Sequence, residues 1–238
     1  MQPLKIKHVP EHYKLAAPED KRGRLVEITY PVSHYIDASR QLVAARAIDE
    51  KEAGRQVVQG EPITKRCQLY LPAGYDPEDR TRRYNVLYLL HGVGGDQGEW
   101  LQNNLARDGE PLVCHILDHL IADGEIEPLI VVFPNGRSSH DWTDRSFDFA
   151  RTCILGFYYF DYELRYDLIP YIESRYPTYA NIEDTAPDAI ARNRLHRAVG
   201  GLSMGGMQAL NMIVGGYRHD SVHYAGVRTG EHPGLEPT

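Results

Sequence analysis

Residues 197–216 read RAVGGLSMGGMQALNMIVGG, and this stretch decides the fold. Arg197 to Leu202 reads as a short strand. Met204 to Val214 reads as a helix, closed by Gly215-Gly216 where helices prefer to end. Between them lies Gly201-Leu202-Ser203-Met204-Gly205, a G-x-S-x-G on a turn that must be very tight. Such a turn needs small residues on either side of the serine. It lifts the serine Oγ out of the sheet and points the next backbone N–H, that of Met204, at an incoming carbonyl oxygen. The helix N-terminus adds partial positive charge where an oxyanion would form. The plainer reading is a glycine-rich turn that only lets backbones pack closely.

Upstream, His91-Gly92-Val93-Gly94-Gly95 directly follows Val86-Leu87-Tyr88-Leu89-Leu90, a continuous apolar run typical of a strand covered on both faces. Glycines at 92 and 94 let the backbone approach a ligand, and the Val93 N–H is the candidate second oxyanion donor. His91 reads better as a brace for this loop than as a base. A phosphate-binding role is the alternative for the loop, but the lysine of a P-loop is absent.

The rest of the chain places these motifs. Leu25–Tyr30 and Ile63–Leu71 alternate like half-buried strands and are expected to be antiparallel. Pro111 to Asp123 has apolar residues at helical spacing, with Gly124 just beyond. Leu129–Phe133 is a second fully apolar strand. Tyr162–Arg175 is a helix candidate that Pro170 should kink. A charged stretch, Asp37–Gly60, is expected to be a surface loop or short helix. Strand and helix alternate through the second half, which implies a parallel sheet with helices on both faces. Chemistry in such sheets sits at the carboxyl ends of the strands, where both glycine motifs lie.

Composition excludes several classes. Among 238 residues the formal net charge is −7 and no Lys/Arg cluster stands out, so nucleic acid and anionic membrane are poor partners. No apolar run approaches the roughly 20 residues of a membrane span. Met1–Lys14 is polar and lacks the apolar core of a signal peptide, which leaves the compartment open. Cys67, Cys114 and Cys153 are widely spaced and read as free thiols, with neither a disulfide framework nor a metal site implied. No cofactor is expected.

Four segments together resemble the esterase-D-like α/β hydrolases, nearest to feruloyl and acetyl-xylan esterases of the first carbohydrate esterase family. They are YNVLYLLHGVGGDQGEW (84–100), LIADGEIEPLIVVFPN (120–135), DLIPYIESRY (167–176) and AVGGLSMGGMQAL (198–210). The likeness runs from about Leu25 to about Gly216. It implies a three-layer α/β-hydrolase sandwich, mostly parallel with antiparallel N-terminal strands, and ester substrates on plant cell-wall xylan. It also implies that Asn135 and the loop to Trp142 border the pocket. Trp100 and Trp142 are open between stacking on a sugar or phenolic ring and a core or surface role. A thioester or formylglutathione hydrolase and a siderophore esterase are alternatives within the same fold.

One part of the pattern is missing. In this fold the acid and histidine follow the serine, on loops after further strands, and the chain ends at Thr238 with a polar tail. Asp220, Glu231 and Glu236 are the tail's acids, and His219, His223 and His232 its histidines. Surface roles are expected for them. The expected organisation is a polar arm over 1–22, an incomplete hydrolase core over 23–216 lacking its C-terminal strands, and a tail over 217–238. The strand at Arg197 then becomes a sheet edge through which the chain could self-associate. A catalytically impaired carbohydrate-binding relic is the reading from a different class.

Overall fold

The structure is a computed structural model that describes residues 9–33, 35–40, 62–79 and 81–213. Strands β1 (Arg24–Ser33) and β2 (Pro62–Leu71) run antiparallel along their full length, with Arg24 opposite Leu71 and Ser33 opposite Pro62. Strands β3 (Asn85–Leu90), β4 (Leu129–Phe133) and β5 (Arg197–Gly201) complete a sheet of order β1-β2-β4-β3-β5. β4 is antiparallel to β2, and β3 is parallel to both β4 and β5. Leu90 lies opposite Gly201, so the loops leaving β3 and β5 emerge side by side.

Burial on both sides of β3 follows from its unbroken apolar run. Val86, Tyr88 and Leu90 belong to a core cluster with Leu155, Tyr159, Phe160, Leu168 and Ile172. Leu87 and Leu89 pack with Trp100, Leu101, Val113 and Leu117 on the opposite face. Helices α1 (Glu99–Gln102) and α2 (Leu112–Ala122) cover that second face. Helices α3 (Thr152–Tyr158), α4 (Phe160–Glu163) and α5 (Ile169–Arg175) cover the first. A short α6 (Pro187–Arg194) leads into β5, and α7 (Met204–Ile213) follows it. This is the three-layer α/β arrangement.

The kink expected at Pro170 takes a different form. Residues Leu164–Leu168 wind as a π-helical turn between α4 and α5. Proline has no N–H to offer the carbonyl one turn back, and a widened turn accommodates that loss.

Tyrosines give this core its character. Tyr30 donates to Glu163 (2.6 Å), Tyr70 to Asp118 (2.6 Å), and Tyr35 to Asp167. Each ring contributes apolar area while its hydroxyl meets a carboxylate, which is how a tyrosine is buried without an orphaned polar group. Arg197, at the start of β5, makes a bidentate pair with buried Glu173 of α5 (2.6 and 2.5 Å). That pair ties the strand carrying the serine turn to the helical layer.

Residues 9–22 lie against α2 through two 3-10 turns, Glu11–Lys14 and Glu19–Lys21, with Tyr13 and Ala17 buried. The thiols of Cys67, Cys114 and Cys153 are free. Among the described residues no helix is long and apolar enough to cross a membrane. Most of the charged stretch before Gly60, and the whole tail, lie outside the described residues.

Candidate active site

The turn after β5 has the geometry that its glycines predict. Ser203 sits at φ 50°, in the left-handed region that non-glycine residues rarely adopt. Such a backbone costs on the order of 1–3 kcal/mol and persists only where its surroundings enforce it. The enforcement is visible. A β-carbon on Gly201 would lie 2.5 Å from the Gly205 carbonyl carbon, and one on Gly205 would lie 2.7 Å from the Leu90 oxygen. The turn is therefore packed backbone to backbone, and it presents Ser203 exposed at its apex.

Hydrogen bonds complete the turn. The Gly205 N–H donates to Leu202 O (2.8 Å), and the Met207 N–H to Ser203 O (3.0 Å). Met204, the first residue of α7, has an N–H of the kind that finds no partner within its own helix. The loop after β3 lies beside it, since a β-carbon on Gly92 would stand 3.1 Å from Ser203 Cβ. Val93 is the next residue along.

That loop is held rigidly. The Gly95 N–H bonds Gly92 O (3.2 Å), Arg137 Nη2 donates to Gly95 O (2.7 Å), and Arg145 Nε donates to Gly94 O (2.8 Å). Gly94 takes φ 79°, open to glycine at no steric cost. The carbonyls of Gly92, Gly94 and Gly95 are all engaged by protein donors, which restrains their peptide planes. Fixed planes are what a preorganised N–H donor needs.

His91 is a brace. It is 1% exposed, and its Nε2 accepts the Gly136 N–H (3.0 Å), so the proton sits on Nδ1, which donates to Gly92 O (2.7 Å). Burial pushes its pKa down to about 4, keeping the ring neutral. The imidazole thus joins the loop after β3 to the loop after β4, with both nitrogens occupied. Among the described residues no histidine bonds Ser203 Oγ. The tail candidates His219, His223, His232, Asp220, Glu231 and Glu236 lie outside the described residues.

Asn135 is buried. Its Oδ1 accepts the Arg137 N–H (3.1 Å) and its carbonyl accepts from Lys65 (2.9 Å). Trp100 donates to Leu90 O (3.1 Å) and packs in the second core cluster, a structural position beneath the glycine loop. Trp142 is half-buried, with its ring 5.8 Å from Lys65 Nζ.

Lys65, Glu163, Ser138 and Arg137, behind the site, went unnoticed in the sequence. Lys65, fully buried in β2, donates to both oxygens of Glu163 (2.8 Å each) and to the carbonyls of Asn135 and Arg137. Ser138 and Tyr30 hydroxyls complete the Glu163 carboxylate (2.6 Å each). Burial pushes the Lys65 pKa down, while the Glu163 charge partly restores it. Arg137 is equally buried; its guanidinium lies 4.9 Å from the centre of Phe157, and burial lowers its pKa to about 10. Lys65 did leave a signal. It shares the parity of Ile63, Cys67 and Leu69 in an alternating strand, which puts it on the inward face.

Residues 63–227 match the Esterase family, described as "Putative esterase". Endo-1,4-beta-xylanase Y of Acetivibrio thermocellus is 39% identical over 166 residues, covering 68% of this chain and 13% of that protein. Endo-1,4-beta-xylanase/feruloyl esterase of Xylanibacter ruminicola is 34% identical over 144 residues, covering 60% of this chain and 16% of that protein. Among solved structures, a serine-to-alanine mutant of the feruloyl esterase module from Clostridium thermocellum, complexed with sinapinate, is 29% identical with a TM-score of 0.54. That match covers 90% of this chain and 56% of the other. The chain thus spans a small part of its curated relatives and just over half of this structural one.

Proposed function

The chain belongs to the Esterase family, and from that premise we propose that it is a serine carboxylic-ester hydrolase acting on acyl esters of plant cell-wall xylan. The observation that carries this reading is the pairing of the two glycine motifs. Ser203, strained and exposed, stands against Gly92. In the reaction Ser203 Oγ attacks the ester carbonyl, and the N–H groups of Met204 and Val93 hold the oxyanion. The alcohol leaves with a proton, and water then releases the acyl group from Ser203.

The loop after β4 supports an aromatic acyl group over acetate. Arg145 ties this loop to Gly94, and two residues on it, Phe147 and Phe149, form an exposed edge-to-face pair 5.3 Å apart. Exposed paired phenyl rings suit a phenolic acid such as ferulate. Relatives and a structural neighbour named for feruloyl esterase point the same way. The domain reading of arm, core and tail is part of this proposal.

A second reading is binding without turnover. It is favoured by the lack, among the described residues, of any histidine on Ser203. Hydrolysis of methyl ferulate and p-nitrophenyl acetate, beside a Ser203→Ala control, separates the two. Ser203-dependent turnover of both, with methyl ferulate preferred, is expected of the esterase. Equal rates for the two proteins, with retained binding of feruloylated xylo-oligosaccharide, would establish the second reading.

A further inference from the structure

The segment before β1 and the end of α2 bring together three metal-ligating side chains that no step of ester hydrolysis uses. His119 sits in the last turn of α2 and Asp123, four residues on, is the C-cap residue of that helix, so the two lie on one face. His12 reaches them from the 3-10 turn Glu11–Lys14. One ligand atom from each of the three lies within 4.8 Å of the others, and His12 Nε2 is 3.9 Å from Asp123 Oδ2. We propose that His12, His119 and Asp123 form a binding site for a zinc-class divalent ion that clamps residues 9–22 onto α2.

The donor set fits that ion class. Two imidazoles and a carboxylate suit zinc and its neighbours, whereas magnesium and calcium take oxygen donors. Ligands of a tetrahedral zinc at about 2.0–2.2 Å stand roughly 3.4 Å apart. His12 and Asp123 are exposed, so small side-chain rotations close the remaining gap. Neighbouring groups already orient two of the ligands, as outer partners do in metal sites. The Tyr13 hydroxyl donates to Asp123 Oδ2 (2.8 Å), and His119 Nε2 lies 3.1 Å from the Leu15 carbonyl. Tyr13 also stacks on the His119 ring, with centroids 5.1 Å apart. Water would complete the coordination.

The site is remote from Ser203. From Ala122 the chain runs directly to Leu129, which pairs with Asn85 at the start of β3, while Ser203 follows the far end of β5 beside Leu90. The ion is therefore structural, and catalysis is not its readout.

Calorimetric titration of the full, metal-free chain with ZnCl2 tests the proposal, beside His12→Gln and Asp123→Asn variants. Asparagine still offers an acceptor to Tyr13, and circular dichroism checks that both variants fold. The native chain should bind one equivalent more than either variant. Zinc should slow tryptic cleavage after Lys14 and Lys21 in the native chain alone, and MgCl2 should do neither. Co2+ at the site should give visible ligand-field bands, without the thiolate charge-transfer band of a cysteine site. Equal zinc stoichiometry in all three proteins, or a thiolate band that both variants retain as the only cobalt signal, would overturn it.

Discussion

A β-carbon on Gly205 would lie 2.5 Å from the carbonyl oxygen of His91, so the two glycine motifs meet backbone to backbone at this point. α7 can start where it does only because residue 205 has no side chain. The contact sets the distance between the serine turn and the β3 loop. Gly205→Ala should destabilise the fold by about 1–3 kcal/mol, the range for overpacking a filled core. The obstacle is backbone and cannot swing aside. Equilibrium urea unfolding checks this, and a variant within about 0.5 kcal/mol of the native chain would contradict the close packing.

His91 makes the stability pH-dependent. Its folded pKa is lowered from 6.5 to about 4 by burial. Above pH 6.5 the ring is neutral in both states and its contribution is whole. As pH falls from 6.5 towards 4 the unfolded chain takes up a proton that the folded one refuses, and stability drops. The loss should reach at most about 3 kcal/mol. Unfolding free energies of the native chain and His91→Gln, measured from pH 7.5 to 4.5, should diverge by that slope. Parallel curves would mean the ring titrates freely.

Lys65→Met should cost about 3–5 kcal/mol, because it leaves the Glu163 carboxylate buried with an uncompensated charge. The Asn135 and Arg137 carbonyls lose a donor as well, so the loop bordering the serine should loosen. Hydrogen exchange at residues 135–139 should quicken more than in β1. A uniform change across the sheet would show that Lys65 does not act on that loop.

Among the described residues β5 pairs with β3 alone, and α7 leaves Leu210 and Ile213 60% and 69% exposed. An open strand edge beside apolar surface favours self-association. The chain should elute as a concentration-dependent oligomer, and Leu210→Lys with Ile213→Lys should shift it towards monomer. A monomer at all concentrations would show that this surface is covered within the chain.

Patterns local in the sequence determined much of this protein. Alternation in 25–30 and 63–71, unbroken apolar runs at 86–90 and 129–133, and glycines around Ser203 each impose local geometry, so strands, layers and the serine turn were legible. Short helices α1, α3, α4 and α6 were not, since four to eight residues carry too little periodicity. Only the tertiary structure decided the supports behind the site. Glu163 meets Lys65 across 98 residues of chain, and Arg137 reaches Gly95 across 42. Such pairs are chosen by burial, where an unpaired charge is costly, and no spacing along the chain encodes that choice.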